Sequence, residues 1–339
     1  RLRRYLARLS ACQLETDARR VDELVRTGNV QDARVALGAL LGVPRAQPEP
    51  QDSQITELGL EDALQVSRTT VLIDRDLEQH GLLFRKRSAR ARSGSRERHV
   101  SRPLMVLLHG ARGTPEMLAN LHRPYNYADA ARRWFASGFD VYMPATIWDS
   151  FYDDEVPDAL PENVRGELDL LARASGHSLL GIEIAGHIAA IRRIQSETGS
   201  RMIWTCGLSF GGLLTLLLAA LMEDVAGAVV SCGLLRDRQG PDAILSGGWI
   251  PQSSALYKAV LALLAPRPTY FEFGRHDEVV PLEPAKRFAA LAQPHWDSQQ
   301  GDAELRIDYF TGQHEFNLDR AIPWVRERCV QAEEDNDEA

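Results

Sequence analysis

The residues Gly207-Leu208-Ser209-Phe210-Gly211, followed by Gly212, carry the pattern G-x-S-x-G. An apolar run that reads as a strand, Met202–Cys206, comes directly before it. An apolar run that reads as a helix, Phe210–Met222, comes directly after. In that setting the serine sits on a tight turn, and the glycines remove side chains that would collide with strand and helix. The hydroxyl then projects at a helix N-terminus, which favours negative charge developing nearby. The chemistry this suggests is nucleophilic attack by Ser209. The plainer reading is a Gly/Ser-rich turn with no chemistry.

A serine hydroxyl is a weak nucleophile until a base takes its proton. His314, in Gly312-Gln313-His314-Glu315-Phe316, follows the strand-like run Leu305–Phe310 and is the expected base. An acid must hold the imidazole tautomer and stabilise its charged form. Asp277 follows the run Thr269–Phe273 and is the expected acid, with its neighbours His276 and Glu278 as alternatives. Acyl transfer also needs donors for an oxyanion. The backbone N–H of Phe210 is one. The loop after Leu104–Leu108 begins His109-Gly110-Ala111, and the Ala111 N–H is the expected second donor, with Arg112 or Gly113 as alternatives. The histidines His122, His177, His187 and His295 show no metal-ligand spacing. The four cysteines, Cys12, Cys206, Cys232 and Cys329, form no C-x-x-C pair. No metal and no cofactor are expected.

The elements that must position these residues alternate strand and helix. Strands are expected at Leu104–Leu108, Phe139–Met143, Met202–Cys206, Ala226–Ser231, Thr269–Phe273 and Leu305–Phe310. Helices are expected at Pro115–Ser137, Leu179–Thr198, Phe210–Met222, Leu282–Leu291 and Ile322–Gln331. Such alternation implies an α/β fold: a mostly parallel central sheet with helices on both faces, and ligands beyond the carboxyl ends of the strands. A hairpin, Val66–Ile73 with Gly81–Arg87, precedes that core. Residues 1–65 read as an N-terminal helical extension and linker. Its first helical stretch ends at Gly28-Asn29, a second runs Val30–Leu41, and Arg45–Ser53 is an exposed linker. Residues 66–331 form the expected catalytic domain, and 332–339 a frayed acidic tail. Within the domain, 144–177 with Trp148, Phe151 and Tyr152, and 234–264 with Trp249 and Tyr257, are candidate cap segments. Arg112, Trp148, Tyr152 and Trp249 are the candidate pocket residues. The basic run Arg85–His99 reads as a solvated loop.

The 339 residues are 44% hydrophobic and 25% charged, an ordinary globular composition. A net charge of −8 argues against a nucleic-acid partner. The longest apolar stretch, Leu213–Met222, is about half the roughly 20 residues a membrane span needs, so no membrane partner is expected. Arg1–Gln13 is arginine-rich without a long apolar core, unlike a signal peptide. Cys206 and Cys232 each end an apolar run and read as buried reduced thiols, which fits a cytoplasmic location. A leader removed before Arg1 is left open, as is self-association through the N-terminal helices.

Four stretches resemble the α/β-hydrolase superfamily: Leu107-Leu108-His109-Gly110, Ser178-Leu179-Leu180-Gly181-Ile182-Glu183, Gly207-Leu208-Ser209-Phe210-Gly211-Gly212 and His276-Asp277-Glu278-Val279-Val280-Pro281. The likeness covers about residues 66–330. More narrowly the chain is similar to the acetyl xylan esterase and dienelactone-hydrolase-like branch, as is its stretch from Leu37-Gly38 to Gly42-Val43-Pro44. The resemblance implies hydrolysis of a small-molecule acyl ester through an acyl-enzyme. Ser209, Asp277 and His314 match the triad positions in the superfamily's Ser…Asp…His order. A serine peptidase, a C–C hydrolase and a non-catalytic binding protein on the same fold are the competing readings.

Overall fold

The computed structural model of the chain describes residues 2–44, 52–61, 63–87, 102–111, 113–121, 126–147, 162–233, 254–298 and 304–338. In chain order the elements are α1 (Leu2–Arg26), α2 (Val30–Leu40), β1 (Asp52–Glu61), β2 (Leu64–Asp74), β3 (Leu77–Lys86) and β4 (Leu104–Leu108). Next come α3 (Pro115–Leu118), α4 (Ala130–Ala136), β5 (Asp140–Pro144), α5 (Glu162–Ala174), α6 (Leu179–Thr198), β6 (Ile203–Leu208) and α7 (Phe210–Leu221). The last are β7 (Val225–Ser231), α8 (Ser254–Leu264), β8 (Thr269–Gly274), α9 (Leu282–Asp297), β9 (Leu305–Phe310) and α10 (Ala321–Glu338).

Among the described residues the strands make one nine-stranded sheet in the order β1-β2-β3-β5-β4-β6-β7-β8-β9. From β5 to β9 in that order all pairings are parallel, while β1, β2 and β3 pair antiparallel. Every residue of β4 is buried. Its Leu104, Val106 and Leu108 enter the core on one face of the sheet, and Met105 and Leu107 enter the core on the other. That period of two explains why the parallel strands read as unbroken apolar runs. Helices α1, α2, α6, α7, α8 and α9 supply the first core, and α3, α4 and α10 the second. Helix α7 is buried from Phe210 to Ala220, wedged between the sheet and α2, α6 and α8. An all-round apolar sequence suits that central position.

The chain passes from β4 to β5 on one side and then to β6 on the other. The sheet's switch point therefore lies between β4 and β6, and in such sheets ligands bind beyond the carboxyl ends of the strands at that point.

Several expectations change in detail. The segment read as one helix over Pro115–Ser137 is two short helices. Asn120, Ala128 and Asp129 take left-handed φ of 55°, 46° and 54°, which interrupts any helix. Strand β1 was not expected at all. Its side chains are largely exposed, so it has no buried face to reveal, and it is held by main-chain pairing with β2 from Asp52–Leu72 to Glu61–Leu64. Asp52 and Ser53 of the linker read over Arg45–Ser53 thus belong to β1, and 45–51 lie outside the described residues. Helix α10 runs through most of the stretch read as a frayed tail, since Ala and Glu are good helix formers. Helix α8 buries Tyr257 edge-on against Phe288, with ring centroids 5.6 Å apart, so this part of 234–264 belongs to the core. No described helix is long and apolar enough to cross a membrane.

The N-terminal helices are bound into this core. Ala18, Val21, Ala33, Leu37 and Leu41 are buried in it, and α1 packs along α8. Ser178 accepts from the Gly181 N–H as the N-cap of α6, and its own hydroxyl donates to the Leu41 carbonyl at 2.5 Å. A Cβ on Gly181 would lie 2.1 Å from the Gly42 carbonyl oxygen. Gly181→Ala should therefore lower stability by roughly 1–3 kcal/mol, read by denaturant unfolding. A variant as stable as the parent would show that the α2–α6 contact is not tight in solution.

Candidate active site

The carboxyl ends of β6, β7 and β8 and the loop after β9 meet at one rim of the sheet. Ser209 stands between β6 and α7 with φ 59° and ψ −116°. A positive φ at a non-glycine residue is strained and is held only when its surroundings enforce it. Here they do. The Ser209 N–H donates to the Ser231 carbonyl at 2.9 Å, so the turn is tied to the end of β7. A Cβ on Gly207 would meet the Gly211 carbonyl oxygen at 2.2 Å. One on Gly211 would meet the carbonyl oxygens of Leu108 at 2.2 Å and His109 at 2.6 Å. The first turn of α7 thus lies directly on the loop leaving β4. Ser209 remains partly exposed between buried neighbours Leu208 and Phe210.

Two further loops bring Asp277 and His314 together. His314 Nδ1 lies 2.7 Å from Asp277 Oδ2. The other carboxylate oxygen of Asp277 accepts from the Val279 and Val280 N–H groups at 2.7 and 2.8 Å. Burial works to push this carboxyl up. The His314 contact and the Val280 N–H outweigh it and hold Asp277 below its ordinary value. Of the three acid candidates, His276 and Glu278 are exposed and Asp277 is buried. The two loops are themselves joined, because the His276 N–H donates to the Gly312 carbonyl at 2.9 Å.

The His314 loop rests on residues that the sequence did not single out. Glu272, buried in mid-strand, accepts from Asn317 N–H and Leu318 N–H at 3.0 Å each and from the Ser231 hydroxyl at 2.6 Å. Asn126 donates its side-chain amide to the His314 carbonyl at 2.6 Å, and its backbone carbonyl accepts the Phe316 N–H at 3.0 Å. Burial pushes the Glu272 carboxyl up, and its three donors only partly offset this. A lone Glu inside the apolar run Thr269–Gly274 was the available signal, since a buried carboxylate must be satisfied. Asn126 had no signal, because its partner is remote in sequence. Cys232 is also at this rim, with a left-handed φ of 47°. Burial, reinforced by the nearby carboxylates of Asp277 and Glu272, pushes its thiol well up.

Beside Ser209, the Gly110 N–H donates to the buried Tyr127 hydroxyl at 3.0 Å, and the Gly113 N–H to the Gly110 carbonyl at 2.9 Å. Ala111 is exposed within that turn. Arg112, Trp148, Tyr152 and Trp249 lie outside the described residues, as do His122 and 88–99 of the basic run. His187 pairs with Glu183 at 2.7 Å inside the core.

Solved structures share this architecture. A Bacteroides fragilis protein assigned as an acetyl xylan esterase superposes with a TM-score of 0.62 at 12% identity, covering 88% of each chain. The chain has the α/β-hydrolase fold. A glucuronoyl esterase from Solibacter usitatus matches with a TM-score of 0.58 at 13% identity, covering 87% of this chain and 90% of the other. Acetyl xylan esterase 1 from Thermoanaerobacterium matches with 0.53 at 15%, covering 83% and 90%. The expected likeness to the acetyl xylan esterase branch is thus present at the level of fold. No family model matches the chain. No curated protein matches it either.

In this hydrolase fold the folded-state pKa of Glu272 is raised. Its contribution to stability is therefore present below the ordinary carboxylate value and is lost as pH rises through the folded value. Glu272→Gln cannot titrate and also loses acceptor geometry, at a cost of roughly 1–3 kcal/mol. The stability gap between parent and variant should narrow as pH rises from the acid range toward neutrality. Denaturant unfolding across that range checks it, and a gap that widens overturns the assignment.

Proposed function

We propose that the chain is a serine hydrolase that cleaves a carboxylic ester of a small molecule through an acyl-enzyme. The observation that carries this is the 2.7 Å contact between His314 Nδ1 and a buried Asp277, at the same sheet rim as a serine of strained φ. The esterases among the structural neighbours support it.

Asp277 accepts the Nδ1–H of His314 and so leaves Nε2 as the basic nitrogen. Nε2 takes the Ser209 proton as the hydroxyl oxygen attacks the ester carbonyl. The oxyanion is held by the N–H groups of Phe210 and Ala111. The packing of Gly211 on the Leu108 and His109 carbonyls supports that pairing, because it sets the loop after β4 beside the first turn of α7. The imidazolium then protonates the departing alcohol. In the second half His314 removes a proton from water, which attacks the acyl-serine and frees the acid. Asp277 stays ionised throughout, as its depressed pKa favours.

Ser209→Ala should lower hydrolysis of a nitrophenyl ester by at least roughly a thousandfold and abolish labelling by a fluorophosphonate. Near-normal turnover in that variant would exclude Ser209 as nucleophile. Asp277→Asn should keep the fold and lower kcat by about a hundred- to ten-thousandfold, because the amide favours the wrong tautomer. A series of acyl chain lengths, measured against a peptide panel, reads the bond type and the size of the acyl pocket.

A further inference from the structure

The rim holds a third potential ligand beside the His314–Asp277 pair. Cys232 follows β7, and its N–H donates to the Glu272 carbonyl at 2.8 Å. Its Sγ lies 3.7 Å from the Glu315 carbonyl and 3.9 Å from the Gln313 carbonyl, on either side of His314. The thiol sulfur, a carboxylate oxygen of Asp277 and a ring nitrogen of His314 all lie within 4.8 Å of one another.

We propose that Cys232, Asp277 and His314 form a binding site for a thiophilic divalent cation of the zinc type, and that its occupancy switches the hydrolase off. Thiolate, imidazole and carboxylate are the donor types zinc prefers, at about 2.3, 2.0 and 2.1 Å. A tetrahedral ion with those bond lengths sets its ligand atoms roughly 3.2–3.8 Å apart. The Nδ1–Oδ2 pair must open from 2.7 Å and the other separations, all within 4.8 Å, must settle into that range, movements within reach of a loop residue such as His314. Charge favours the ion, because a dication offsets one thiolate and one carboxylate that burial otherwise penalises. Three protein ligands leave the fourth tetrahedral position to a water molecule.

Inhibition follows from the tautomer. On binding, Sγ releases its proton to solvent and Nδ1 becomes a ligand. The neutral ring then carries its proton on Nε2 and cannot accept one from Ser209. No electrons are transferred. The switching-off rests on the esterase reading above, whereas the binding site does not.

Cobalt(II) titrated into the full chain, in a Cys12→Ser background that removes the exposed thiol, reports the site through its thiolate charge-transfer absorption in the near ultraviolet. The expected result is a band that saturates at one ion per chain and is absent in Cys232→Ala. Zinc should inhibit nitrophenyl ester hydrolysis over the same range and release it on chelation, while magnesium should not inhibit. Loss of one ligand in Cys232→Ala should raise the half-inhibitory zinc concentration at least about tenfold. Should the alanine variant fold poorly, Cys232→Ser preserves the volume and removes the thiolate. Absence of the band, or equal zinc inhibition of parent and Cys232 variants, overturns the proposal. A band without Ser209-dependent hydrolysis keeps the site and removes the esterase reading.

Discussion

Backbone lies directly on backbone where the strands of this sheet end, and the rim depends on that contact. The carbonyls of Leu108 and His109 press on Gly211 with no room for a side chain between them. The same holds where the Gln313 carbonyl meets Gly274, 2.1 Å from where a Cβ would stand. The first contact sets the loop after β4 against the start of α7. The second sets the His314 loop against the end of β8. Together they bring the turn at Ser209, the proposed donor loop and the His314–Asp277 pair to one edge. Side-chain chemistry at the rim is therefore placed by backbone packing, which is stiff, rather than by long flexible side chains.

Two buried carboxylates share the work of holding His314, and their environments divide them. Asp277 collects the imidazole and backbone N–H groups, which outweigh burial and keep it charged. Glu272 is wholly enclosed and is pushed toward its protonated form despite its donors. The first suits a group that must steady an imidazolium, because a charge next to a forming charge is worth most where water is excluded. The second suits a structural clamp, since Glu272 joins β7, through Ser231, to the backbone beyond His314.

The N-terminal helices follow the same logic at the other end of the fold. Gly42, with φ 73°, turns the chain after α2 so that its carbonyl meets the start of α6. Helix α7, which carries the Ser209 turn at its N-terminus, is covered by α2, α6 and α8. The extension thus contributes Ala18, Val21, Ala33, Leu37 and Leu41 to the core.

Strand–helix alternation, the parallel strands and the strand–turn–helix context of Ser209 were legible in the sequence, because each depends on local periodicity and on residues adjacent in the chain. The edge strand β1 and the break between α3 and α4 were not, since exposed side chains and left-handed residues leave no hydrophobic period. Residue types at the ends of strands pointed to Ser209, Asp277 and His314 as candidates. Only the tertiary structure decided that Asp277, and neither His276 nor Glu278, meets the imidazole, and that Glu272, Asn126 and Cys232 surround it. Those contacts join segments up to 188 residues apart. Their geometry arises from sheet order and loop packing, which local sequence does not encode.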